Sequence, residues 1–443
     1  MTTARSTGTR QRCEDCGAEF STHETLARCS RCGGLLTLVS EPPRERGAAL
    51  RETFDARRAS GAAYDVLRDG PVPPDASGVW RYRELVLPEV AASEIVSHPE
   101  GNTPLLRRAA VEHWCGVDSV VMKHEGENPT GSFKDRGMTV AVTQACRVGA
   151  AAVACASTGN TAASLAAYAA QAGLPALVLV PNGQVSLGKL AQSLAYGART
   201  LLVRGDFDDC LRLVNEAASE LGVYLANSIS PYRIAGQKTI VLELLQQLGW
   251  RAPDWIALPA GNLGNTSAFG AALRDALELG LIDRMPRIAA VQASGAAPFA
   301  ASYREDFRVR HTVRAETVAT AIRIGDPASY SRAVRVIRET NGVVLDVPDD
   351  DILHAKAVVD AAGVGCEPAS AASVAGVRAL RSRGVIEKDD VVVAVLTGHI
   401  LKDPGILLQY HREREPAPKE ANRPIEIEPN LKEVERVLKA VRL

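Results

Sequence analysis

The chain has 443 residues, 46% of them hydrophobic, and its 51 lysines and arginines nearly balance 52 acids, for a formal net charge of -1. That length exceeds one average domain and can bury a sizeable active site, while the balanced charge gives no global field to recruit nucleic acid or an anionic membrane. No run of about eighteen apolar residues occurs and the N-terminus MTTARSTGTRQR lacks the apolar stretch of a signal peptide, so a cytoplasmic protein acting on a small molecule is expected.

The first forty residues carry CEDC, twelve further residues and then CSRC, that is Cys13, Cys16, Cys29 and Cys32. A glycine follows each pair and allows a tight turn that aims both thiolates at one point, so a structural zinc ribbon is expected over residues 1–40. Residues 1–60 hold ten arginines, no lysine and eight acids, a near balance that is not a phosphate-binding surface. A closed four-cysteine site has no open coordination position and should hold structure only. Cys115, Cys146, Cys155, Cys210 and Cys366 lie singly, mostly among apolar neighbours, and read as buried reduced thiols. Residues 41–100, with EPPRER, GPVPPDASG and WRYRELVLP, read as a linker that packs on the next domain.

From residue 101 to 410 short apolar runs alternate with helix-length segments. AAVACAS, PALVLVP, RTLLVRG, VYLANS, DWIALPAG, RIAAVQAS and VVVAVLTG are separated by stretches such as TAASLAAYAAQAG and GQKTIVLELLQQLGW. Continuous apolar strands between helices predict an α/β fold with a largely parallel sheet covered on both faces. In such sheets the ligand lies beyond the carboxyl ends of the strands. PAGNLGN, residues 259–265, could converge several backbone N–H groups on an anion, but it is neither GxGxxG nor a nucleotide P-loop. Lys134 sits in NPTGSFKDRG. An anion cradle plus one lysine in an α/β recess is what pyridoxal phosphate requires, the lysine condensing with the aldehyde and, desolvated, shuttling the proton at Cα.

HEGENPTGSFKDRG, ASTGNTAAS, NSISPYRIAGQKT, PAGNLGN, ETVATAIRIGDPAS and TGHILKDP, in that order, resemble the threonine synthase family of fold type II pyridoxal-phosphate enzymes, some members of which carry a zinc-ribbon extension. The resemblance implies two open parallel-sheet α/β subdomains of the tryptophan synthase β type, the smaller roughly 140–235, with the cofactor in the cleft. It implies that Lys134 holds the cofactor, that Asn160 lies at the ring 3-hydroxyl, that Gly261, Asn262, Leu263, Gly264 and Asn265 cradle the cofactor phosphate, and that Thr397 faces the pyridine nitrogen. Ser157, Thr158, Asn160 and Thr161 resemble the substrate carboxylate site. Asn227, Ser228 and Arg233, with Thr161, Asn262 and Lys134 nearby, resemble the site for the phosphate of O-phosphohomoserine. The implied reaction eliminates that phosphate and adds water at Cβ to give threonine; the alternative is a cysteate-synthase-like replacement on O-phosphoserine. Glu125, Asp135 and His399 fall in motifs, where salt bridges or loop anchoring are as well supported as catalysis. Ile400 departs from the glycine common after TGH.

Residues 411–443 read as a polar stretch and an amphipathic helix with Leu431, Val434, Leu438 and Val441 at helical spacing. Such a helix packs on its own domain or forms a dimer contact, and a homodimer is the expected assembly.

Overall fold

The computed structural model describes residues 8–69, 72–183 and 187–441; the first seven residues and the side chain of Val441 lie outside the described part. One unit runs up to Lys402 and a second begins at Asp403. Thirteen strands are present among the described residues: β1 (Arg10–Cys13), β2 (Glu19–Ser21), β3 (Leu36–Val39), β4 (Leu105–Arg107), β5 (Ser119–His124), β6 (Ala152–Ala156), β7 (Ala176–Pro181), β8 (Arg199–Val203), β9 (Val223–Leu225), β10 (Trp255–Pro259), β11 (Arg287–Ala293), β12 (Val343–Val347) and β13 (Val391–Leu396).

They form an antiparallel N-terminal sheet β2-β1-β3, a parallel sheet β8-β7-β6-β9 and a larger sheet β12-β11-β10-β13-β5-β4. The larger sheet is parallel except at its edge, where β4 runs antiparallel to β5, in keeping with the largely parallel sheet expected from sequence. In the inner strands the apolar runs are continuous because both faces are buried, and alternate residues serve different cores, whereas the run of β8 at the sheet edge leaves Leu201 and Leu202 exposed. In β10, Ile256 and Leu258 enter one cluster while Trp255 and Ala257 enter another. In β6, Val153 and Cys155 face one cluster and Ala152, Ala154 and Ala156 the other.

Part of the expected linker is a helix, Gly47–Ala62, whose Leu50 and Phe54 are buried beside Tyr82 and Trp250. The unit from Asp403 holds a short helix, Pro404–Leu408, and the helix Leu431–Val441. No helix among the described residues is long and apolar enough to cross a membrane.

Candidate active site

Five loops leave the carboxyl ends of β5, β6, β9, β10 and β13 and supply the expected site residues. The first is stitched to the last. The Phe133 amide donates to the Thr397 carbonyl at 3.0 Å and the His399 amide to the Gly131 carbonyl at 2.9 Å, so Lys134 starts its helix, Lys134–Arg147, beside Thr397. That helix crosses the helix Pro231–Gln247 where both have glycine. A Cβ on Gly137 would stand 2.9 Å from the Arg233 carbonyl oxygen, and one on Gly236 would strike the Arg136 carbonyl. Only a glycine pair permits this approach, and it puts Lys134 close to Arg233.

Lys134 is partly exposed and its Nζ lies 4.1 Å from the Phe133 ring centre. Desolvation first, and then the positive charge of Arg233, lower its pKa to about 7 against an opposing pull from Glu367. Arg233 is fully buried, which rules out a solvated surface arginine. Among the described residues its one hydrogen bond runs from Nη1 to the Ala226 carbonyl at 3.2 Å, while Nε and Nη2 find no partner. Burial holds its pKa down at about 10. A guanidinium in that state is costly unless an anion joins it. Ser132, Ser230, Asn265 and Thr266 also carry buried oxygens without partners among the described residues.

The turn after β10 places Leu263 in the left-handed region at φ 62° and starts the helix Gly264–Glu278. A Cβ on Gly261 would meet Ile322 Cα at 2.9 Å. Asn262 is tied on three sides: its Nδ2 donates to Ser228 Oγ at 2.5 Å, its Oδ1 accepts from the Ala328 amide at 2.7 Å and its carbonyl from Ser329 at 3.3 Å. Asn227 Oδ1 is taken by the Ala156 amide at 3.2 Å. Ser157, Thr158 and Thr161 are partly exposed where β6 gives way to the helix Asn160–Ala172, and among the described residues no hydrogen bond joins them to Lys134 or Arg233.

Sequence reasoning missed Glu367. Its Oε2 accepts from Asn160 Nδ2 at 3.0 Å and its Oε1 from Thr397 Oγ1 at 3.3 Å, so one carboxylate joins two expected ring-edge residues, and burial raises its pKa. The only signal was a glutamate before a proline-opened helix, Pro368–Ser382. Ser370 Oγ lies 3.0 Å from Thr397 Oγ1. Ile400 packs against Gly365, two residues before Glu367.

Glu125 binds Arg136 at 2.7 Å. Asp135 instead accepts from the Thr130 amide, the Thr130 hydroxyl and the Ser164 hydroxyl at 2.6–2.7 Å, and burial pushes its pKa up to about 6.

In the N-terminal module the four cysteine sulfurs lie within 4.8 Å of one another. Cys13 and Cys32 sulfurs are 3.4 Å apart and those of Cys16 and Cys29 3.6 Å. A tetrahedral zinc with bonds of about 2.3 Å sets its sulfurs about 3.8 Å apart, so the cluster fits such an ion.

Residues 96–398, more than half of the chain, match the family model described as pyridoxal-phosphate dependent enzyme. The chain is 43% identical to threonine synthase of Methanosarcina acetivorans over 91% of this chain and 94% of that one, and 41% identical to threonine synthase of Methanocaldococcus jannaschii over 97% and 99%. The chain belongs to the threonine synthases among the pyridoxal-phosphate-dependent enzymes. The same fold recurs in the solved threonine synthase of Escherichia coli, at 19% identity and TM-score 0.66, covering 98% of this chain and all of that one. Maize serine racemase shares it too, at 23% identity and TM-score 0.59 over 70% and 91%. For a member of this family the residues fit the cofactor: a lysine of lowered basicity opens its helix beside Thr397, and the turn after β10 leaves no room for a side chain at Gly261.

Proposed function

We infer that this enzyme converts O-phospho-L-homoserine and water to L-threonine and phosphate, with Lys134, Asn160, Thr397 and residues 261–265 at the cofactor, Ser157, Thr158, Asn160 and Thr161 at the substrate carboxylate and Asn227, Ser228 and Arg233 at its phosphate. The observation that carries the reading is Arg233, wholly buried near Lys134 with Nε and Nη2 unpartnered among the described residues. Relatives at 41–46% identity named threonine synthase support the substrate assignment.

When bound, pyridoxal phosphate withdraws electrons from the substrate carbon skeleton and so acidifies Cα and then Cβ. The chain does the rest. Desolvation lowers the basicity of Lys134 towards neutral, so its amine can accept the Cα proton. Arg233 meets the phosphate away from water, where its charge is little screened, and favours the C–O bond at Cγ breaking as negative charge collects on the leaving oxygens. The first-turn amides of the helix Asn160–Ala172 attract the carboxylate. The Lys134 amine takes the Cβ proton in turn, Cγ gains a proton once phosphate has left, the new C–O bond forms at Cβ from water as its second proton is released, and a proton returns to Cα. The two other carboxylates of the motifs are already engaged, Glu125 by Arg136 and Asp135 by hydroxyls.

Steady-state assays with O-phosphohomoserine, and with O-phosphoserine plus sulfite, test the reading. Phosphate and threonine should appear in equal amounts from the first; turnover of the second alone would replace this assignment with the cysteate-synthase-like one. A cytoplasmic homodimer belongs to the same proposal, and sedimentation of the purified protein checks its assembly.

A further inference from the structure

Among the contacts of the N-terminal module with the rest of its unit, two lead towards the proposed phosphate site. On one side the Thr22 carbonyl accepts from Tyr232 Oη at 3.1 Å and from Gln144 Nε2 at 2.7 Å, and Tyr232 is the neighbour of Arg233. On the other side Glu14, inside the first cysteine pair, binds Arg332 Nε at 2.6 Å and Arg335 Nη2 at 2.5 Å. Arg332 also donates from Nη2 to the Leu36 carbonyl at 2.5 Å. It is 4% exposed.

Arg332 stands in the first turn of the helix Tyr330–Glu339, and the residues just before that helix are Ala328 and Ser329, whose amides hold both oxygens of Asn262. A buried guanidinium locked to Glu14 therefore fixes the start of this helix, and the helix start fixes Asn262. We propose that Arg332 is a positioning residue through which the four-cysteine module orients Asn262 and sets the affinity of the site for phosphate. The proposal rests on the assignment of Ser228, which Asn262 Nδ2 reaches at 2.5 Å, and of Arg233 to the substrate phosphate site. It gives the metal module a role beyond holding its own fold, since the ion would stiffen the loop that presents Glu14.

The holoenzyme carrying Arg332→Met tests this, with Glu14→Gln as a second variant and Arg332→Lys as the conservative one. Three readouts are needed: KM and kcat for O-phosphohomoserine, the dissociation constant of inorganic phosphate from its quenching of cofactor fluorescence, and zinc content. KM and the phosphate constant should rise together by about 5- to 20-fold in Arg332→Met, with kcat within about two-fold, cofactor absorbance and zinc retained, and a smaller rise in Arg332→Lys. Chelating the zinc from the wild-type holoenzyme should shift the phosphate constant in the same direction. Phosphate affinity and KM within two-fold of wild type in both Arg332→Met and Glu14→Gln would overturn the proposal, as would a fall in kcat with KM unmoved. A wild-type enzyme that turns over no O-phosphohomoserine would instead overturn the functional reading, and with it the phosphate arm of this one.

Discussion

A lysine amine normally stays charged until about pH 10.5, yet Lys134 is held near 7 by desolvation and by Arg233, with Glu367 pulling the other way. Each cause can be removed separately. Competitive acetylation of the cofactor-free protein should show Lys134 reactivity with a midpoint near 7. Arg233→Gln should raise that midpoint, because a repelling positive charge is lost, and Glu367→Gln should lower it further, because an attracting negative charge is lost. The same shift fixes the sign of a stability effect. Between the folded value and the unfolded one the unfolded chain binds more protons, so the urea midpoint of the cofactor-free protein should rise from pH 7 towards 10, and Lys134→Met should flatten that rise. In the holoenzyme Lys134→Ala should abolish the visible absorbance of the cofactor. Arg233→Ala should keep that absorbance while kcat/KM falls at least about ten-fold, the loss of one or more charge-assisted hydrogen bonds.

Two elements meet the site with no room to spare, and alanine substitution reads out both. At Gly236 an added Cβ would strike the Arg136 carbonyl, which cannot swing away as a side chain can. Gly236→Ala should push the helices Lys134–Arg147 and Pro231–Gln247 apart and lower both Tm and activity, at a cost of about 1–3 kcal/mol for overpacking. Gly261→Ala is milder, since its Cβ contact to Ile322 Cα is 2.9 Å. It should leave Tm within a few degrees while cofactor affinity, measured by fluorescence titration, falls several-fold. Neither close approach is visible in sequence, where each glycine reads only as a permissive residue. What was legible is what local pattern controls: β6, β7, β10, β11 and β13 are near-continuous apolar runs because both faces are covered. β5 was not, since Lys123 and His124 interrupt its run and the acid that matches Lys123 is Glu243, far along the chain. The helix Gly47–Ala62 buries only Leu50 and Phe54, too few apolar residues to show a period. At the site, motif order singled out Lys134 and Arg233, but the burial of Arg233 and the bridging by Glu367 arise from tertiary contacts alone.

The segment that carries Lys134 is tied to the rest of its unit by a buried ion cluster that joins four distant stretches of chain. Glu243 meets Arg81 at 2.8 Å, Lys123 at 2.6 Å and Arg136 at 2.8 Å, and Arg136 meets Glu125 at 2.7 Å. Two acids thus face three cations, so the cluster has no spare negative charge. The Glu243 carboxyl is held well below the usual range: burial alone would raise it, but Arg136, Lys123 and Arg81 more than offset that. A depressed acid contributes stability above its unfolded pKa, near 4.3, and loses it as pH falls through the folded value. Glu243→Gln should therefore strand buried cations and destabilise the protein by about 3–5 kcal/mol at neutral pH, the usual cost of breaking rather than replacing a buried pair. Thermal unfolding checks the size, and repeating it from pH 7 to 3 checks the cause. The wild type should lose stability steeply on acidification and the variant less steeply, so the two curves should converge. Replacing Lys123 by methionine in the Glu243→Gln background removes one stranded cation and should recover part of the loss. If the double variant is instead as unstable as the sum of the single ones, the two residues act independently and the cluster is not one electrostatic unit.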